Sequence, residues 1–148
     1  MKNLFLLFSL FLIVSTAFSQ SNLPRKVKKA LEQLAPQATE VSWKGEGDRI
    51  KIWTAKYIVG VDSMQTKYDY KANWIHTLKY ITLDQLPEEV TKSILDKYQR
   101  ATLTKAAEMQ EPDFDGYGVA FMYLKDRWAV AITKEGKVKR RQITSEGF

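Results

Sequence analysis

Apolar residues follow two alternating periods along this chain, and each stretch at helical spacing leads into a longer stretch of strict alternation. Over residues 24–35, Val27, Ala30, Leu31 and Leu34 recur at three- and four-residue intervals, which predicts an amphipathic helix with one buried stripe. Pro24 suits its first position, where a missing N–H is no loss, and Pro36 ends it. From Thr39 the period falls to two. Val41 and Trp43 alternate with polar residues in a first strand, and the run Gly45-Glu46-Gly47-Asp48 supplies a turn. Residues 50–61 read as a long aromatic and β-branched strand with a bulge at Gly60. Strands at 65–70 and 73–81 then flank a Lys71-Ala72 turn.

The same order returns. Pro87 opens a second helix, with Glu88 and Glu89 in the turn that the helix dipole favours for negative charge. Val90, Ile94 and Tyr98 form its stripe, with Leu95 at the border. Strands are expected at 101–109, 117–124, 127–134 and 137–144, with a connection over 111–116 and turns at Lys125-Asp126 and Glu135-Gly136.

The two stretches superpose. Trp53, Ala55, Tyr57 and Val59 fall on Tyr117, Val119, Phe121 and Tyr123, and Tyr68, Ala72 and Trp74 fall on Ile132, Gly136 and Val138. Leu23-Pro24-x-x-Val27 is echoed by Leu86-Pro87-x-x-Val90. Self-similarity of this length predicts two copies of one supersecondary unit. The expected fold is therefore α+β: two tandem helix–four-strand repeats, residues 20–82 and 83–148, forming an antiparallel sheet with both helices packed on one face. Cross-strand partners share a side, so the core face should carry Val119, Phe121, Tyr123, Trp128, Val130, Ile132 and Ile143. The opposite face should carry Lys67, Asp69, Trp74, His76, Leu78 and Tyr80 from the first repeat. The second repeat adds Ala120, Met122, Ala129, Ala131, Thr133, Val138, Arg140 and Gln142. That face should be open.

These residues resemble the PepSY-like, β-lactamase-inhibitor-protein-like domains of small secreted bacterial proteins. The pattern is Leu-Pro-x-x-Val opening a helix, a strand of alternating aromatics, then an aromatic-Asp-x-x-Gly-x-Trp hairpin. Here the hairpin reads Tyr68-Asp69-Tyr70-Lys71-Ala72-Asn73-Trp74 and then Ile132-Thr133-Lys134-Glu135-Gly136-Lys137-Val138. Ala72 stands where the hairpin glycine is expected, and the second copy lacks both the aspartate and the tryptophan. The resemblance implies a continuous sheet with a concave open face, and a role in inhibiting or regulating an enzyme by contact. Fold analogy does not carry a target across.

The ends and the composition narrow the setting. Lys2, the apolar run 4–14 and Ala17-Phe18-Ser19 form a secretory leader over residues 1–19, which predicts an exported protein, periplasmic or extracellular. The apolar run is too short for a bilayer, which needs about 20 residues. No second such run follows, so no membrane span is expected after leader cleavage. The chain has no cysteine, which excludes disulfides and a lipid-modified cysteine. A net charge of +6, one unit of which leaves with Lys2, would suggest nucleic acid in a cytoplasmic protein. After export, acidic proteins, anionic lipid head groups or acidic glycans are better matches than nucleic acid, which is not expected, and a soluble surface with a modest positive excess is the favoured reading.

Catalytic chemistry finds little support. Without cysteine and with His76 as the sole histidine, no Cys-His site can form, and no Gly-x-Ser-x-Gly elbow surrounds a serine. Asp113-x-Asp115-Gly116 lacks the further oxygen ligands calcium needs and reads as a turn. Lys137-x-Lys139-Arg140-Arg141 reads as a charged edge strand whose alternation divides it between two faces. The expectation is a non-enzymatic binding module without cofactor or metal, contacting an envelope protein or exported enzyme through Trp74, His76, Tyr80, Lys67, Asp69, Met122 and Arg140. A small-ligand carrier, with a pocket between sheet and helices, is the alternative. A hydrolase built on carboxylates is a third reading.

Overall fold

The computed structural model describes residues 23–49 and 51–143, so the leader at 1–19 lies outside the described residues. Helix α1 (Arg25–Leu34) precedes strands β1 (Thr39–Glu46), β2 (Ile52–Val59), β3 (Asp62–Asp69) and β4 (Trp74–Ile81). A short 3-10 turn (Leu83–Gln85) leads to helix α2 (Glu88–Lys97) and strands β5 (Thr102–Glu111), β6 (Phe114–Tyr123), β7 (Asp126–Thr133) and β8 (Val138–Ile143). All eight strands form one antiparallel sheet in chain order. The sheet is continuous across its middle, where Leu78 of β4 pairs with Met109 of β5.

Alternation places the large apolar residues on one side. Val27, Leu31 and Ala35 of the α1 segment share a buried cluster with Trp53, Ala55, Tyr57 and Tyr68. Val90, Ile94 and Tyr98 share another with Ala106, Val119, Phe121, Val130 and Ile132. Val27, Val90 and Ile94 are fully buried, and such burial stabilises by about 1.5–3 kcal/mol per side chain. Around the ring of Tyr98 lie Phe121 at 4.9 Å, Tyr123 at 5.3 Å and Trp128 at 6.0 Å. A buried hydroxyl chain, Tyr57 Oη–Thr66 Oγ1–Thr77 Oγ1, crosses β2, β3 and β4 on the same side with links of 2.9 Å each.

Several local expectations are corrected. Gly60 is no bulge: with φ +62 it starts a two-residue turn, and Val59 pairs with Asp62. The connection at 111–116 shrinks to a tight hairpin, because Glu111 pairs with Phe114. The next turn falls on Leu124-Lys125, with Leu124 at φ +58, so Phe121 pairs with Trp128. That moves the register by two residues and leaves the faces of β6 and β7 unchanged. Val138, expected on the open face, is a correction: the irregular pairing between Ala131 and Ile132 sets it opposite Ile132 and against the helix-side cluster. Val41 and Leu34 are exposed, at 36% and 50%. Glu40 at φ +52 and the irregular pairing between Thr39 and Ser42 disturb the alternation around Val41.

Candidate functional site

The side of the sheet away from the helices is a basin. Eight flat strands would span about 34 Å. Yet Lys44 and Glu46 of β1, His76 of β4 and Arg140 and Gln142 of β8 line one cavity of about 730 Å³. The sheet must therefore curl toward this side. Unequal side-chain size explains the direction: β6 and β7 place Gly116, Gly118, Ala120, Ala129 and Ala131 here, against Val119, Phe121, Trp128, Val130 and Ile132 opposite. Gly116 is indispensable to this packing, since a Cβ there would lie 2.4 Å from the Ile132 carbonyl and 2.7 Å from the Phe114 ring. A small apolar floor of Leu78, Ala107, Met109 and Ala131, with Tyr80 and Phe114 beside it, supports the basin.

Charge surrounds this floor. Lys67 lies 3.6 Å from Glu46, which also holds Lys44 at 3.7 Å, and Arg140 pairs with Glu111. Tyr80 donates to Gln65 Oε1 at 3.0 Å, and the Lys105 ammonium stands 4.3 Å from the Tyr80 ring centroid. Burial holds the Lys105 ammonium below its usual pKa, and the charge of Lys56 adds to the effect. The cavity thus gathers Lys44, Lys56, Lys67, Lys105 and Arg140 against Glu46 and Glu111.

His76 sits among these charges. Burial depresses its pKa to about 4; Lys67 and Arg140 push the same way, and Glu111 opposes them. The ring is neutral at physiological pH. Its Nε2 is buried and has no hydrogen-bond partner, and so is the Oγ1 of Thr54, a residue only 3% exposed. Both residues line the cavity. They flank Lys67 on one rung of the sheet, because Thr54 pairs with Lys67 and Lys67 with His76.

The residues singled out from sequence divide into three groups. Lys67, His76 and Arg140 line the cavity together, and Tyr80 borders its apolar floor. Met122, opposite Arg127, lies on the same face but beyond the cavity lining. Trp74 is a correction: it is packed against the α1 cluster on the helix side. A break in register between Lys67 and Tyr68 pairs Lys67 with His76 but Tyr68 with Trp74, so the residue between, Ile75, reverses the alternation. Asp69 stands opposite Ile52, which lines the cavity, but its carboxylate serves the β3–β4 hairpin. It accepts from the backbone N–H groups of Lys71 and Asn73 at 2.8 Å each and from Asn73 Nδ2 at 2.7 Å. Desolvation raises the Asp69 pKa, but the Asn73 and Lys71 donors and the Lys71 charge outweigh it and leave the group below its usual value.

Sequence reasoning missed Thr54, Lys56, Lys105, Met109 and Glu111. The signal for the β2 pair was present: with Trp53, Ala55 and Tyr57 in the core, Thr54 and Lys56 had to face the other way. Lys105 was harder, because the irregular pairing between Leu103 and Lys105 breaks the alternation of β5. The space between helices and sheet, expected for a carrier's pocket, holds the two buried clusters, and the cavity lies on the other face. Among the described residues no three His, Asp or Glu side chains gather as a metal site, and no helix is long and apolar enough to cross a membrane.

No family model and no curated protein matches the sequence. Solved structures do resemble it. A BLIP-like protein from Bacteroides fragilis is 18% identical and superposes with a TM-score of 0.67, over 86% of this chain and 92% of its own. A DUF2874 family protein from Bacteroides uniformis is 19% identical with a TM-score of 0.68, over 85% of this chain and 93% of its own. A candidate periplasmic protein from Bacteroides eggerthii is 20% identical with a TM-score of 0.63, over 84% and 91%. The fold is BLIP-like, as the resemblance implied. The PepSY part of the resemblance rests on the sequence pattern alone.

Proposed function

We propose that this chain is an exported, non-enzymatic binding module that engages a protein through the concave face of its sheet. The observation that carries the reading is the convergence of both sheet edges on one cavity, with an apolar floor and a charged rim. Interfaces combine these parts: apolar and aromatic residues supply buried area, and surrounding charges set orientation and exclude wrong partners. Tyr80 is the anchor on this reading, and Lys67 and Arg140 are orienting charges. The leader at 1–19 sends the chain to the periplasm or beyond, and residues 20–82 and 83–148 are two copies of one unit that together build the face. An envelope protein or an exported enzyme fits as the partner.

The test is affinity capture from an envelope extract with three forms of the chain. Lys67→Glu with Arg140→Glu should lose what the wild type captures, while Lys26→Glu with Lys29→Glu, on the exposed side of α1, should retain it. Equal capture by all three would remove the concave face from consideration. A small-ligand carrier is the second reading, favoured by one observation: 730 Å³ lies within the range of small-molecule sites.

A further inference from the structure

Resting on the concave-face reading, we infer that the floor of the basin holds a carboxylate subsite, formed by Thr54, Lys67, His76 and Arg140, that takes an aspartate or glutamate side chain of the partner protein. Four observations lead there. First, among the described residues Lys67 and Arg140 line the cavity beside Thr54 and His76, with Lys56 also in the lining. Second, Thr54 is 97% buried, yet its hydroxyl has no partner. Such groups are normally satisfied, and leaving one unpaired costs about 1–3 kcal/mol. Third, His76 Nε2 is in the same condition one strand beyond Lys67. Fourth, both orphan atoms belong to residues lining the cavity, on either side of a cation.

An acceptor-only group matches that set. The Thr54 hydroxyl and the Lys67 ammonium are donors, and the neutral imidazole donates from Nε2 when its proton is there. A carboxylate has about four lone-pair directions and can accept from all three while Arg140 supplies further charge. A cationic ligand would meet Lys67 and Arg140, and an apolar one would leave both orphans unpaired. The two orphans therefore call for a polar ligand, and Lys67 and Arg140 favour an anionic one, which competes with their existing pairs to Glu46 and Glu111.

The experiment is a titration of isotope-labelled full mature chain, followed by backbone and imidazole NMR signals. The probes are a blocked Gly-Glu-Gly-Glu-Gly peptide, its glutamine counterpart and sodium glutarate. The glutamate peptide should shift Thr54, Lys67 and His76 Nε2 in a saturable way, and the glutamine peptide should not. Thr54→Val keeps the side chain's shape and removes the hydroxyl, so it should weaken the glutamate peptide by about tenfold, as expected for a hydrogen bond to a charged group. Its thermal midpoint should stay level or rise, which separates lost recognition from lost folding.

If both peptides shift the basin equally, or Thr54→Val binds like wild type, the carboxylate subsite is wrong and the concave-face reading stands. Glutarate that binds more tightly than the glutamate peptide would overturn the protein side chain as the source. Shifts confined to the helices would overturn both the subsite and the face.

Discussion

Trp74 Nε1 donates a 2.9 Å hydrogen bond to Thr77 Oγ1, three residues along the same strand. Strict alternation would put these two side chains on opposite faces; the irregularity at Ile75 brings them to one side. The bond extends the Tyr57–Thr66–Thr77 hydroxyl chain to the indole, so a buried network secures the turn of Trp74 toward α1. Thr77→Val would strip Trp74 of its acceptor and Thr66 of a hydrogen-bond partner at once. It should destabilise the fold by about 1–3 kcal/mol, read as a lower urea midpoint with unchanged slope. The tryptophan emission should shift as well, because the indole loses its partner.

Gly116→Ala tests how the basin is shaped. The added carbon would meet backbone 2.4 Å away, and backbone cannot swing aside as a flexible side chain can. Overpacking of this kind should cost about 1–3 kcal/mol in denaturant unfolding. A silent substitution would mean that β6 and β7 are less closely apposed than described.

The two hairpins at equivalent places in the chain make a matched pair. Ala72 adopts φ +71 and Gly136 φ +80. A left-handed conformation costs an L-residue about 1–2 kcal/mol. Ala72→Gly should relieve part of that and raise the thermal midpoint slightly, after the loss of a partly buried methyl. Gly136→Ala should lower it more strongly, because its Cβ would also sit 2.8 Å from the Glu89 carbonyl of α2.

Acid should weaken the fold through His76. Its folded pKa of about 4 lies below the ordinary value of 6.5, so the unfolded chain binds more protons between those pH values. Stability from this group is complete above pH 6.5 and declines as pH falls toward 4, by at most about 3 kcal/mol. The groups facing it are Lys67, Arg140 and Glu111. Comparing urea midpoints from pH 7 to 4 should show a smaller decline for His76→Gln than for wild type. Equal slopes would mean that another group governs the acid limb.

Much of this architecture is legible in the sequence. The shift from a period near 3.6 to a period of 2 gave the helix-then-strands order twice, and the alternation of β6 and β7 assigned their faces correctly even with the turn misplaced by one residue. What failed were the interruptions. Trp74 was put on the wrong side because one residue, Ile75, breaks the count, and nothing about an isoleucine between Trp74 and His76 announces that. The parity of Asp69 places it opposite Ile52 on the open face, but an aspartate two residues before Lys71 and four before Asn73 also has a local use as a turn cap, which parity does not show. The basin itself was beyond reach, because curvature is a sum of small size differences between two faces and brings β1 and β8 together only in three dimensions.

The central claim is that the concave face meets the partner. A photo-crosslinking amino acid placed at Gln142, exposed on the basin rim, and separately at Leu34, exposed on α1, puts it to the test in cells that make the chain. The account predicts a discrete crosslinked species from the Gln142 position and none from Leu34; a species from Leu34 alone would contradict it.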